Sequence, residues 1–326
     1  MEMDKDERIP LVSVAMITYN HEPYIVQAIE GVLMQQTSFD YELIIGEDCS
    51  TDNTRAVCLK YQQQYPDKIK VLLPDTNQGM MPNFMQVLSA CRGKYIALCE
   101  GDDYWTDSGK LEQQANFLEK NPDFSIAFHN VSVIYGDNRA SHSSNPSWQK
   151  EISSIDDLAC GNFIYTASCV YRNNLFQAFP SWYNTSPVGD YVLHLMNAQY
   201  GLIKYFPTVM GVYRVHDNGV WSKKSDHYTL ISWIKVLNNL IGMFSDQVNQ
   251  KLIDQQIYYI KHYAQVIPRK KWEIEDQQFF PKSLWQIADE NNQLKAKTVS
   301  SESKATIIRA IKRIFVHFKN SGESSV

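Results

Sequence analysis

The sequence predicts an α/β fold with a mostly parallel central sheet flanked by helices, and three observations carry that expectation. Short apolar, β-branched runs alternate with segments of helical periodicity through the first third of the chain. Each run is continuously apolar, as strands buried on both faces are. Most of the runs end in polar or acidic residues, at the strand ends where open parallel sheets bind their ligands.

The elements follow in order. Residues 11–18, "LVSVAMIT", read as a buried strand, and Pro23 to Gln35 as a helix with Ile25, Ala28, Ile29, Val32 and Leu33 on one face. "YELIIGED" (41–48) is a second strand, and "STDNT" (50–54) supplies helix-start chemistry for a helix through about Tyr65. "KIKVLL" (68–73) is a third strand, "NQGMMP" (77–82) a turn with Pro82 placed to open the next helix, and "KYIALC" (94–99) a fourth strand. The strand ends are Thr18-Tyr19-Asn20, Glu47-Asp48, Asp75 and Glu100-Gly101-Asp102-Asp103. A polar, turn-rich loop spans 136–154. Apolar segments at 163–172 and 210–216 flank a helix from about Tyr191 to Tyr200. Helical, Gln- and Tyr-rich sequence runs from 226 to 266, and a polar linker at 290–304 leads to an amphipathic, basic segment at 304–320.

Composition narrows the function classes. A net charge of −5 gives no reason to expect nucleic acid as the main partner. Aromatic residues make up 12%, enough to fill a core and also to line a site for rings or sugars. The six cysteines show no C-x-x-C pair, so they read as reduced residues of a cytoplasmic protein. The opening residues are charged and no apolar run reaches the ~18 residues that would span a bilayer.

The acids of "LCEGDDYW" (98–105) pose the chemical question. Glu100, Asp102 and Asp103 fall within four positions at the end of a buried strand. No glycine-rich phosphate cradle follows the first strand, in either the G-x-G-x-x-G or the G-x-x-x-x-G-K-[ST] form. Hard carboxylate oxygens suit Mg²⁺ or Mn²⁺, which bridge to diphosphate oxygens. The alternative is structural, with the acids capping the helix that begins near "DYWTDSGKLEQQ".

Three blocks, "VSVAMITYNHEPYIVQAIEGVLMQQTSFDYELIIGEDCSTDNT", "NQGMMPNF" and "GKYIALCEGDDYWTD", resemble the nucleotide-sugar-binding half of the family 2 glycosyltransferases. "GDYVLHL" and "MGVYRVHDNGVWS" resemble the acceptor half, so the likeness covers roughly residues 9 to 224. The resemblance implies a GT-A fold, with a Rossmann-like nucleotide-binding half, and an inverting, metal-dependent transfer from a nucleotide sugar. Thr18, Tyr19 and Asn20 match the loop bordering the nucleotide. Asp48 matches the second acid of D-D-x-S-x-D, whose carboxylate accepts the uracil N3–H. Glu47 stands at the first acid of that motif. Asp102 and Asp103 match the D-x-D region that holds metal and ribose, and Asp190 matches the general base. His216 and Arg214 lie where some members direct groups at the diphosphate or metal, and Trp221 follows in the same stretch. Each has a plainer reading: Asp190 as a helix cap, His216 as a surface or packing histidine, Arg214 as a salt-bridge brace. His194, one turn after Asp190, reads as packing.

Three departures stand out: Glu47 and Glu100 each replace an Asp, and Gly189 replaces a common Glu before the base. The Q-x-x-R-W signature of processive synthases is absent, which implies one sugar per encounter. The expected organisation is a glycosyltransferase domain over 1–224, divided at 110/111 into donor and acceptor halves. A helical extension over 225–326 would follow. The expected partners are a UDP-sugar and a glycan or lipid-linked acceptor, in bacterial surface polysaccharide or glycan assembly. The 304–320 segment is a candidate for peripheral membrane contact, or for packing on its own domain. Two rival readings are a nucleotidyltransferase with a similar acidic site, marked by pyrophosphate release, and a degenerate member that binds sugar without metal.

Overall fold

The computed structural model describes residues 9–267, apart from 138, 218 and 223. Four strands come first: β1 Val12–Thr18, β2 Tyr41–Glu47, β3 Ile69–Leu72 and β4 Tyr95–Leu98. Helices α1 Ile25–Leu33, α2 Thr54–Gln64 and α3 Met80–Ala90 alternate with them. After β4 come β5 Tyr104–Trp105, α4 Lys110–Lys120, β6 Phe124–Tyr135, β7 His142–Ser143, β8 Ile152–Ser153 and α5 Ile155–Leu158. The described chain closes with β9 Val170–Arg172, α6 Asp190–Ala198, β10 Leu202–Val215, α7 Asp226–Leu240 and α8 Asp246–Val266.

The sheet runs β3-β2-β1-β4-β9-β6-β10-β5, with β7 on β6 and β8 on β10. Pairing is parallel from β3 through β4 and again between β6 and β10. Only β9 reverses between them, since it is antiparallel to both β4 and β6. The carboxyl ends of β1, β2, β4, β6 and β10 therefore share one edge, the mostly parallel arrangement the sequence predicts. The long β6, "FSIAFHNVSVIY", is an addition to the elements read from sequence.

Strand periodicity sorts the core into two layers. On β2, Leu43 and Ile45 face one cluster with Val14, Ile29, Ala97 and Leu111, while Ile44 faces the other with Phe84, Val87, Leu98 and Phe128. Helices α1 and α4 cover the first face; α3, α6 and α7 cover the second. The α1 residues Ile25, Ala28, Ile29 and Val32 are fully buried, the stripe that their spacing predicts. All six cysteines are free, and four of them are buried.

The chain divides into compact units at Tyr259/Ile260. Within the first unit, Val236, Leu237 and Leu240 of α7 and Val248 and Leu252 of α8 join the core beneath α3 and α6. The 304–320 segment lies outside the described residues. Among those described, no helix is long and apolar enough to cross a membrane.

One glycine fixes how closely α3 rests on the sheet. A Cβ at Gly46 would lie 2.2 Å from the Asn83 side-chain oxygen and 2.5 Å from a Val87 methyl. Asn83 in turn donates to the Gly46 carbonyl at 2.9 Å. Gly46→Ala is expected to lower stability by about 1–3 kcal/mol, read as a shifted urea midpoint at unchanged slope.

Candidate active site

Beyond β4 the chain turns sharply, pinned to β1: Cys99 N–H donates to the Ala15 carbonyl at 3.1 Å and Gly101 N–H to that of Ile17 at 2.9 Å. This turn brings one carboxylate oxygen each of Glu100, Asp102 and Asp103 within 4.8 Å of one another. None of the three caps α4, which starts at Lys110 with Gly109 at its cap position. Asp107 takes the Gly109 N–H at 2.7 Å instead. The helix-capping alternative for the acidic turn is thereby excluded.

Partners from β10 and from the loop after β1 hold these acids. Asp102 Oδ2 lies 3.0 Å from His216 Nε2 and 3.6 Å from His21 Nε2. Asp103 is buried, with Oδ1 accepting the Arg214 backbone N–H at 2.8 Å and Oδ2 unpartnered. The Arg214 guanidinium donates to the Asp102 carbonyl at 2.5 Å and to the Gln27 side chain, and lies 4.2 Å from the Tyr104 ring centre. Burial, then the charges of Asp102 and Asp190, push the Glu100 carboxyl up to about 8. Burial and the same kind of repulsion, from Asp102 and Glu100, raise Asp103 well above the usual range. Burial also acts to raise Asp102, but the His216 hydrogen bond and the two histidines' charges hold it below the usual range. Two half-buried carboxylates beside the buried Asp103, whose Oδ2 is orphaned, fit a hard divalent cation.

A cavity of about 500 Å³ opens along this edge. Of the residues singled out from sequence, Thr18, Tyr19, Asp48, Glu100, Asp102, Asp190, Arg214 and Trp221 line it. Asn20, Glu47, Asp103 and His216 lie outside that lining. Asn20 adopts φ 54° and ties two strand-end loops, its side-chain oxygen accepting the Thr51 N–H at 2.8 Å. Glu47 is fully buried, paired with Arg55 and accepting the Ser50 N–H at 2.7 Å. His216 is not a surface residue: it is buried, with Nε2 on Asp102 and its ring packed 4.5 Å from that of Tyr24. Asp48 accepts the Gln78 and Gly79 N–H groups at 2.7 and 2.8 Å, one on each oxygen, and so shapes the turn that opens α3.

Asp190 reaches the cavity as the first residue of α6, and makes no cap bond there. Asn162 Nδ2 donates to its Oδ2 at 3.1 Å. Met81 explains the glycine before it: a Cβ at Gly189 would lie 2.6 Å from the Met81 sulfur. The cavity also takes in His21, Asn77, Asn162, Tyr165, Tyr213 and Trp233, which the sequence reading passes over. His21 directly follows the strand-end residues Thr18 to Asn20 and was legible from that position. Asn162 and Tyr165 sit in irregular chain with no periodic signal, and Trp233 lies inside a helix.

A sheet of this order with an acidic turn beyond β4 is the architecture of a GT-A glycosyltransferase. The chain belongs to glycosyl transferase family 2, whose pattern matches residues 13–179. It is 42% identical over 212 residues to an uncharacterized protein of Mycobacterium tuberculosis, covering 64% of this chain and 60% of that one. It is 34% identical over 126 residues to the UDP-Glc:alpha-D-GlcNAc-diphosphoundecaprenol beta-1,3-glucosyltransferase WfgD of Escherichia coli, 39% of this chain and 45% of that one. The chain thus spans about 60% of the length of the mycobacterial relative. The S. aureus TarS 1–349 structure in complex with UDP-GlcNAc shares the fold at TM-score 0.59 and 17% identity, covering 84% of this chain and 82% of that one. So does the mannosyltransferase PcManGT from Pyrobaculum calidifontis in complex with GDP-Man and Mn²⁺, at TM-score 0.55 and 14% identity over 89% of both chains.

The raised Glu100 carboxyl has a consequence for stability. A carboxyl raised in the folded state contributes stability below its ordinary value of 4.5 and loses it as pH rises through about 8. In EDTA, Glu100→Gln is expected to raise Tm at about pH 8 by about 2–4 °C and to leave it nearly unchanged at about pH 5. Thermal melts of both proteins across that range check this, and parallel curves contradict it.

Proposed function

We propose that this protein moves one sugar per encounter from a UDP-sugar to an acceptor hydroxyl, with inversion at the anomeric carbon. One observation carries the reading: the acidic turn after β4 and the Asp190 carboxylate at the start of α6 line a single cavity. They are close enough for the Asp190 charge to help raise Glu100.

Carboxylates from Glu100, Asp102 and Asp103 would hold a divalent cation, Mn²⁺ or Mg²⁺, which when bound neutralises charge on the leaving diphosphate. Thr18 and Tyr19 border the nucleotide. Asp48 keeps lone pairs beyond the two it gives the 77–79 turn, enough to take a uracil N3–H. Arg214 braces the acidic turn and lines the cavity, so it meets the diphosphate from a fixed position. Asp190 takes the proton of the acceptor hydroxyl as that oxygen attacks the anomeric carbon. Tyr165, Trp221 and Trp233 give the acceptor side aromatic faces suited to a sugar ring. The likeness to WfgD, a diphosphoundecaprenol glucosyltransferase, supports a glycan or lipid-linked acceptor in polysaccharide assembly.

Asp190→Asn is expected to lower transfer by at least ~10²-fold while UDP binding, measured by calorimetry, stays near wild type. Near-normal turnover would remove Asp190 from the role of base. A panel of UDP- and GDP-sugars, each with Mn²⁺ or with EDTA, reads donor and metal together. Release of UDP only with the cation supports the proposal, and release of pyrophosphate identifies nucleotidyl transfer instead.

A further inference from the structure

Behind Asp190 lies a chain of polar groups that the proposed reaction leaves unused. His194 sits one helical turn further along α6, fully buried, with Nε2 4.0 Å from Asp190 Oδ2. Its other nitrogen, Nδ1, is 2.7 Å from the Tyr171 hydroxyl. That hydroxyl in turn accepts from the Cys169 thiol at 3.0 Å. The direction of this chain sets the tautomer. The thiol has one proton for Tyr171 and for the Thr166 carbonyl at 3.1 Å, so the phenol decides: its better acceptor is the imidazole, Tyr171 donates to Nδ1, and the imidazole proton is left on Nε2, the nitrogen nearer Asp190. Burial keeps the ring neutral, holding His194 down at about 4.

Asn162 is oriented with equal definition. Its side-chain oxygen accepts the Ile164 N–H at 3.2 Å, which turns Nδ2 toward Asp190 Oδ2 at 3.1 Å. Asn162 thus donates to one oxygen of Asp190, and His194 Nε2 stands 4.0 Å from that same oxygen. Among the described residues, none hydrogen-bonds Oδ1. Nε2 of His194 makes no hydrogen bond in this structure and is buried, so its proton has Asp190 Oδ2 as a nearby anionic acceptor. Hydrogen bonds of this kind are often long without substrate and tighten in the reactive complex.

We propose that His194 and Asn162 are positioning residues that hold Asp190 by Oδ2 and so reserve Oδ1 for the acceptor hydroxyl. The inference rests on Asp190 being the base. In the step it serves, the acceptor oxygen bonds to the anomeric carbon and its proton passes to Oδ1. The bond from that carbon to the diphosphate breaks, and its electron pair leaves with the diphosphate. His194 keeps its own proton throughout, so the chain through Tyr171 to Cys169 orients and does not relay.

The experiment measures UDP release by the full chain from UDP-glucose and UDP-N-acetylglucosamine, beside UDP binding and the ¹⁵N spectrum of His194. His194→Leu and Asn162→Leu are each expected to lower kcat about 10–100-fold, with donor KM and UDP affinity within about twofold of wild type. His194→Gln, which returns an N–H near the place of Nε2, is expected to recover most of the loss; a purely space-filling role would not separate Gln from Leu. The ¹⁵N spectrum should show the proton on Nε2, and this readout needs no activity. A proton on Nδ1 overturns the inference, as does wild-type kcat in both Leu variants while Asp190→Asn is inactive. Should His194→Leu fail to fold, Asn162→Leu and the tautomer decide. Turnover by Asp190→Asn overturns the base assignment itself, and this inference with it.

Discussion

The interaction on which the site depends is the grip of Arg214 on the turn after β4. Two carboxylates about 5 Å apart repel by ~3 kcal/mol even at the effective dielectric of a protein surface. The Glu100–Asp103 turn holds three of them, with Asp190 facing the same cavity. Arg214 answers with two kinds of bond at once, a backbone N–H to Asp103 and a guanidinium N–H to the Asp102 carbonyl. The first fixes a carboxylate, the second the peptide between carboxylates. With His216, the residue after β10's end, on Asp102 Oδ2, the turn is held at three points. The repulsion that remains lies on Glu100 and Asp103, the two acids raised above their usual range.

The topology makes that grip available. Arg214 follows Asp103 by more than a hundred residues, yet β10 lies parallel to β6 and antiparallel to β5, which begins directly after Asp103. The pairing of Gly211 with Trp105 and of Val212 with Tyr104 sets the register, and two residues later the chain delivers Arg214 to the acids. The reversed β9 joins the two parallel halves without turning either one, so both present carboxyl ends to the same cavity. The acidic turn and Asp190, the proposed base, are thus brought together by sheet order, and neither half closes the cavity alone.

Much of this was legible in the sequence, because its local signals and tertiary demands agree. The four apolar runs at 11–18, 41–48, 68–73 and 94–99 became β1 to β4, since buried parallel strands leave a continuous apolar trace. The acids at 100–103 were legible as a site because nothing structural asks for three carboxylates at a strand end. What sequence could not resolve was which motif residue touches the cavity. Glu47 and Asp48 are neighbours with the same chemistry, but adjacent residues at a strand end point to opposite sides. Only Asp48 lines the cavity, while Glu47 turns to Arg55. Within the acidic turn, Glu100 lines the cavity while Asp103 gives Oδ1 to the Arg214 backbone N–H and keeps Oδ2 free for the acidic cluster. Asn162 had no signal at all, since its place follows from a loop path that no periodicity encodes.

Three residues one layer behind the cavity share a trait that a motif reading does not show. Asn20, Glu47 and His216 are polar groups whose hydrogen bonds close on backbone N–H groups or on another site residue. Loops built from such sequence are costly to order, because each fixed residue gives up about 1–2 kcal/mol of backbone freedom. A site for a charged, flexible donor gains affinity when that ordering is complete before the donor arrives. Polar residues meet the demand better than apolar ones at a wet sheet edge, where backbone donors would otherwise compete with the ligand for the same carboxylates. The acidic and amide residues of these strand ends therefore divide into those that face the cavity and those that hold them there. The second group is set by the loops' own need for hydrogen bonds.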